Sequence, residues 1–224
     1  MMRGDILFME VNSYLQKIIV ALVMLGAIPG GPSIAQVNLD FSAGINLSRA
    51  SLRNVAELEF QNRTGYFIGI APGYRITERF NVQLGAQYSV KGYKPNFPAG
   101  SEFSIYRMSY WNIMPEIEYE FLQSLSVGVG AYRAFLAVED FKIGNSDWME
   151  SSIGETVKST DYGLMAKLKY NFRDIFAYVR YEHGLKDVAL LEFTDINGNL
   201  IEDARQLNRN IQFGLGYTFG YSGN

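Results

Sequence analysis

The sequence predicts an all-β fold, an eight-stranded antiparallel up-and-down barrel, on three observations. From residue 38 onward apolar residues recur at every second position over eight segments of about ten residues or more, which is the period of a strand and not of a helix. Aromatic side chains collect near the ends of those segments. The connections between them alternate between tight and long.

Composition sets the outer limits. The chain has 224 residues, 48% apolar and 14% aromatic, with a formal net charge of −3. That is too aromatic and too weakly charged for a disordered chain, and it carries no polybasic footprint for nucleic acid. With no cysteine there is no disulfide framework, thiolate metal site or thiol nucleophile.

The amino-terminal segment reads as a signal peptide over residues 1–35, leaving 36–224 as the barrel domain. Lys17 precedes an apolar run, Ile18 to Ile28, and Ser33 and Ala35 place small residues before a cut. The run of 11 residues falls short of the ~20 that a helical membrane span needs. Asp5 and Glu10 precede it, so translation from Met9 is an alternative to Met1.

The eight segments follow in order. The first alternates Leu39, Phe41, Ala43, Ile45 and Leu47 with Asn38, Asp40, Ser42, Gly44 and Asn46. The second sets Tyr66, Ile68, Ile70, Pro72, Tyr74 and Ile76 against a face ending in Arg75. The third runs Phe80, Val82, Leu84, Ala86, Tyr88 and Val90 against Asn81, Gln83, Gln87, Ser89 and Lys91. In the fourth, Trp111, Ile113, Pro115, Ile117, Tyr119 and Phe121 oppose Asn112, Met114, Glu116, Glu118 and Glu120. The fifth alternates Leu125, Val127, Val129 and Ala131 with Ser126, Gly128, Gly130 and Tyr132. The sixth pairs Tyr162, Leu164, Leu168, Tyr170 and Phe172 with Asp161, Met165, Lys167 and Lys169. The seventh places Ile175, Ala177, Val179 and Tyr181 opposite Phe176, Tyr178, Arg180 and Glu182. The last mirrors the first, with Ile211, Phe213, Leu215, Tyr217 and Phe219 on its apolar face.

Which way the apolar face looks separates a soluble barrel from a membrane one. In a membrane barrel apolar residues meet lipid, polar ones line the lumen, and aromatic girdles mark both interfaces. The aromatic segment ends fit that pattern. So do the connections, tight near Thr77-Glu78, Leu122-Gln123 and Arg173-Asp174, long over 49–63, 93–106, 138–160 and 186–208. The prediction is a transmembrane barrel of the outer-membrane type in a Gram-negative bacterium.

An eight-stranded barrel has an interior that side chains just fill. Inward parity yields Asp40, Glu116, Glu118, Glu120, Asp161 and Glu182 against Arg75, Lys91, Arg107, Lys167, Lys169 and Arg180, six against six. Buried charges require partners, so an interior ion network is expected, and it outweighs a catalytic use of Glu116, Glu118 and Glu120. Pro72 and Pro115 each remove a ladder hydrogen bond in a barrel without edges, which predicts a local bulge at each.

Three stretches resemble the PorT-like outer-membrane β-barrel family of Bacteroidetes: Asp161 to Leu164, Val179 to Leu185 and Asn208 to Phe219, with Tyr88 to Gly92 and Tyr110 to Pro115 fitting its third and fourth strands. The resemblance implies a cell-envelope barrel. The family's namesake assists protein secretion across the outer membrane, so an accessory of a type IX-like secretion machine is the alternative to a structural or interaction barrel; a narrow solute channel ranks lower. Gly214, Tyr217 and Phe219 also resemble the insertion signal read by the barrel-assembly machinery, although Phe213 and the tail Gly220 to Asn224 depart from it.

No catalytic site, cofactor or metal is expected. The one histidine, His183, points toward lipid by parity, and Asp195-Ile196-Asn197-Gly198-Asn199 reads as a hairpin turn better than as a calcium loop, because its glycine falls too early. Arg133 faces lipid near the outer end, where snorkelling is favoured over contact with a lipopolysaccharide phosphate. The expected partners are outer-membrane lipid and lipopolysaccharide, with an envelope protein as a further candidate through the acidic loops 138–160 and 186–208. Those loops carry Glu139, Asp140, Asp147, Glu150 and Glu155, and Asp187, Glu192, Asp195, Glu202 and Asp203, with Trp148, Met149, Leu190, Leu191 and Phe193 as apolar anchors.

Overall fold

The computed structural model describes residues 37–54, 59–96, 104–151, 157–190, 199–201 and 203–220. The segment expected to be a signal peptide lies outside them. Among the described residues nine strands form one sheet: β1 (Val37–Arg53), β2 (Glu59–Arg75), β3 (Phe80–Asn96), β4 (Ser104–Leu122), β5 (Leu125–Ile143), a short β6 (Met149–Ser151), β7 (Thr160–Phe172), β8 (Ile175–Gly184) and β9 (Arg205–Phe219). Every pairing is antiparallel, β1 meets β9, and β4 pairs with β5, so eight strands close the ring while β6 only extends the outer edge of β5.

The alternation in the sequence becomes an inverted burial pattern. Leu215 is 68% exposed, Ile68 62% and Val129 61%, whereas Asn46, Ser89 and Gln212 on the opposite face are fully enclosed. A water-soluble barrel would reverse this, so the apolar outer band is a lipid-facing wall. Aromatic pairs brace its rims: Phe80 with Tyr119 and Tyr217 with Phe219 at the tight-turn end, and Tyr88 with Trp111 at the other.

The tight turns are built from local hydrogen bonds. The Thr77 hydroxyl accepts from the backbone N–H of Phe80 (3.1 Å) and of Arg79 (3.3 Å). Arg173 reverses the chain between β7 and β8 with φ 57°, a left-handed conformation unusual for a non-glycine residue.

Two expectations need correction. The prolines produce no bulge. Pairing of β2 with β3 lapses at Ala71 and Pro72, then resumes in the same register at Gly73↔Gln83. Pairing of β4 with β5 likewise lapses at Met114 and Pro115 and resumes at Glu116↔Gly130. One missing N–H removes two ladder positions without inserting a residue, since the other neighbour keeps full register through Leu39↔Pro72 and Leu84↔Pro115. The register shifts lie elsewhere, between Asn62 and Phe67, between Ser109 and Tyr110, and between Glu120 and Leu122.

The long connections are also shorter than expected, because strands continue past the apolar band. β1 and β2 reach Arg53 and Glu59, β3 and β4 reach Asn96 and Ser104, and β5 runs to Ile143. Beyond the hydrocarbon the outer face no longer needs apolar side chains while the inner face stays packed around Tyr93, Met108 and Leu136, so pairing continues while the polar and apolar alternation stops. On the far side, Val157 bridges Ala189, Leu136 N–H donates to Ser159 O (2.8 Å), and Val188 N–H donates to Gln206 O (2.9 Å). The wall therefore rises above the membrane band there as well.

Candidate functional site

The polar lumen is where the inward residues meet. Around its middle, Lys167 from β7 bonds Glu116 and Glu118 of β4, the latter at 2.9 Å. Lys169 reaches Asp40 of β1 (2.9 Å) and Glu118 (3.5 Å). Arg180 of β8 reaches Glu116 (3.5 Å), and Lys91 of β3 bonds Glu182 of β8 (2.5 Å). β1 with β7, β3 with β8 and β4 with β8 are not neighbours in the ring, so these bonds cross the lumen.

Neutral groups add hydrogen bonds to the carboxylates. Asp40 accepts from Thr218 (2.7 Å) and Gln83 (3.0 Å), Glu118 from Ser126 (3.1 Å), and Glu182 from Asn210 (3.1 Å). Rings take up the remaining cation faces: Lys169 lies 4.3 Å from the centre of Phe176, and Arg180 lies 5.0 Å from that of Tyr178. Charges this deep are retained only when paired and hydrogen-bonded.

Four expected members sit apart from this centre. Asp161 accepts from Tyr132 (3.0 Å) and Asn208 (2.9 Å), with hydroxyl and amide in place of a cation. Arg75 and Glu120 pair at 3.9 Å near the tight-turn rim, partly exposed. Arg107 belongs to the outer extension, where it bonds Asp140 (2.7 Å) and stacks on Trp148 at 4.2 Å. The expected ion network left out the neutral Asn46, Gln87, Asn210 and Gln212, which are enclosed among the charges although parity already put Asn46 and Gln87 on the inward face. Polar alternation could have found them had neutral residues been weighed with charged ones. Toward the outer end the lumen turns apolar, packed with Tyr93, Met108, Tyr110, Tyr132 and Leu136.

The acidic-loop expectation changes too. Glu139 and Asp140 belong to β5 and are buried, and Asp203 lies 3.9 Å from Arg205. Trp148, Met149 and Leu190 are partly exposed, whereas Glu155, Leu191, Glu192, Phe193, Asp195 to Gly198 and Glu202 lie outside the described residues. His183 faces outward, with Tyr181 Oη 3.3 Å from its Nδ1, and Arg133 packs over Phe135. Gly214, Tyr217 and Phe219 lie on β9, the glycine inward and both rings outward.

Asp187 joins the two outer segments. Its carboxylate receives Lys158 (2.7 Å) and the backbone N–H groups of Gln206 (2.9 Å) and Ala189 (3.3 Å). Partial burial raises its pKa, but Lys158 and these N–H donors outweigh burial and leave it below the ordinary carboxylate value. A depressed carboxylate stabilises above its unfolded pKa, and that stability is lost as pH falls through the folded value. Acidification is therefore expected to speed hydrogen exchange at 157–159 and 187–189 while the membrane band stays protected. Asp187→Asn should exchange quickly already at neutral pH and lose the acid step; an acid step retained in that variant would refute the assignment.

Over residues 32–190, well more than half of its length, the chain matches the family described as outer membrane protein beta-barrel domain. It belongs to that family. The barrel is thus an outer-membrane protein of the Gram-negative envelope. Among solved structures, the attachment invasion locus protein Ail of Yersinia pestis is 14% identical, with 82% of this chain and 99% of that one covered and a TM-score of 0.45. Neisserial surface protein A is 13% identical (82% and 97% covered, TM-score 0.44), and OprG from Pseudomonas aeruginosa 12% (84% and 97%, TM-score 0.46). A search of curated proteins found no match.

Proposed function

We propose that this outer-membrane barrel acts as a structural and interaction protein, a closed wall that anchors its outer extension for contact with lipid or an envelope partner. The observation that carries the reading is the set of ion pairs crossing the lumen. Bonds from Lys91 to Glu182, Lys169 to Asp40 and Arg180 to Glu116 join strands on opposite sides of the ring. The cavity among Ser42, Gln83, Gln87, Met114, Glu116 and Arg180 measures about 20 Å³, room for roughly one water.

Purified protein reconstituted in a planar bilayer is expected to show no conductance steps above the bare membrane. Steady unitary steps would replace this reading with a narrow solute channel. The alternative role, an accessory of a secretion machine, is supported by the PorT-like motifs at Asp161 to Leu164, Val179 to Leu185 and Asn208 to Phe219. Extraction in mild detergent separates the two roles: the barrel alone supports the first, and stoichiometric co-extraction of envelope proteins supports the second.

A further inference from the structure

The outward face of β1 and β9 carries like charges directly opposite one another. Arg49 pairs with Arg209 and Arg53 with Arg205, with the neutral His183 imidazole of β8 opposite Arg209, all at positions whose side chains point away from the lumen. Opposed residues on one face hold their Cβ atoms ~5 Å apart, and like charges so placed destabilise a sheet. Among the described residues no carboxylate bonds Arg49, Arg53 or Arg209. Asp203 lies 3.9 Å from Arg205, and both are well exposed. Arg209 spends one nitrogen on the carbonyls of Gly184 (2.8 Å) and Asn208 (3.0 Å), and the charges acting on His183 are Arg209 and Arg53, both positive. The arrangement is costly unless an anion is shared across it.

Its position identifies the anion. Two residues inward along each strand stand Leu47, Ile211 and Tyr181, the last side chains of the lipid-facing band. The cations therefore stand where the hydrocarbon ends. Below them the same wall is indented: small Ala43 and Ala177, on either side of the projecting Leu215, leave an apolar groove below Ile45, Phe213 and Val179 and toward Leu168. From Ile45 to Arg49 is four residues, about 13 Å along the strand. A cationic row above an apolar groove matches a molecule with an anionic head and hydrocarbon tails. Arginine suits phosphate through its forked donors.

We propose that the outward face of β8, β9 and β1 is a docking site for a lipid of the outer leaflet that carries a headgroup phosphate, with Arg49, Arg209 and His183 on the phosphate and an acyl chain in the groove below Ile45 and Phe213. The proposal deepens the lipid-contact part of the proposed function; a conducting barrel would overturn the closed-wall reading and leave this site untouched.

Native mass spectrometry of the full chain, released from micelles doped with lipid A or with the same lipid after enzymatic removal of its phosphates, tests it. The expected result is one retained lipid A, with at least tenfold less retention of the dephosphorylated lipid. Arg49→Gln with Arg209→Gln should abolish the preference and should raise the melting temperature in lipid-free detergent, because the opposed charges are gone. Arg49→Lys with Arg209→Lys should keep most of the preference, and Arg133→Gln all of it. Equal retention of both lipids, or an unchanged preference in the double glutamine variant, overturns the proposal. So does complete displacement of lipid A by millimolar inorganic phosphate, which would mark a general anion site.

Discussion

Lys167→Met is expected to be the most damaging single substitution in the barrel. The Lys167 ammonium lies between Glu116 and Glu118, two residues apart on β4, with all three side chains almost fully enclosed. Removing it leaves two buried carboxylates facing each other. Arg180 still reaches the first at 3.5 Å and Lys169 the second at 3.5 Å, both looser than the bonds lost. Breaking one partner of a buried ion pair costs about 3–5 kcal/mol, because the surviving charge stays desolvated and unpaired. Urea unfolding in lipid vesicles should show a loss in that range, and the folded form should no longer survive in cold dodecyl sulfate. Adding Glu116→Gln should recover part of the loss, with a coupling of about 1–3 kcal/mol in the double-mutant cycle. A loss below about 1 kcal/mol would mean that the lumen is wet enough to solvate the carboxylates, and the sealed-interior account would fall with it.

Gly214→Leu is expected to come second, and its rescue tells two roles apart. A Cβ at Gly214 would lie 2.4 Å from the Tyr178 ring, inside any allowed contact, and Tyr178 is itself buried against Phe67. Overpacking of this kind typically costs about 1–3 kcal/mol or more. Gly214 is also part of the expected insertion signal, so poor assembly of the variant could arise in the unfolded chain or in the folded barrel. Tyr178→Ala empties the space that the leucine needs. If the double variant regains heat-resistant folding after refolding in detergent and assembles in cells, the glycine acts as the seat of Tyr178. If it refolds in detergent but still fails to assemble in cells, the glycine is read by the assembly machinery.

Much of the wall was legible because membrane solvent enforces a period of two. Hydrocarbon outside and packed polar groups inside leave each residue of the band one side to face, and counting by two places Asp40, Lys91, Glu116, Lys167 and Arg180 in the lumen without further information. The rule stops where the outer face leaves the hydrocarbon and meets water while the inner face stays packed. Glu139, Asp140 and Arg107 lie in that outer extension, so Glu139 and Asp140 read as loop residues and Arg107 as part of the central network. Ala137 shows the same limit. The pairing passes from Tyr110↔Leu136 to Ser109↔Val138, leaving it as the extra residue that shifts the register of β5 by one. No local sequence feature marks it.

Parity along each strand, aromatic ends and the short turns were properties of the chain itself, and they determined a closed eight-stranded membrane wall with a charged interior. Which charges meet was decided only by closure. Lys91 and Glu182 are 91 residues apart, and Lys169 and Asp40 are 129 apart. Their partnership depends on the stagger accumulated around the ring, which no single hairpin contains. The opposed arginines of β1 and β9 have the same origin: they become neighbours because the last strand pairs with the first.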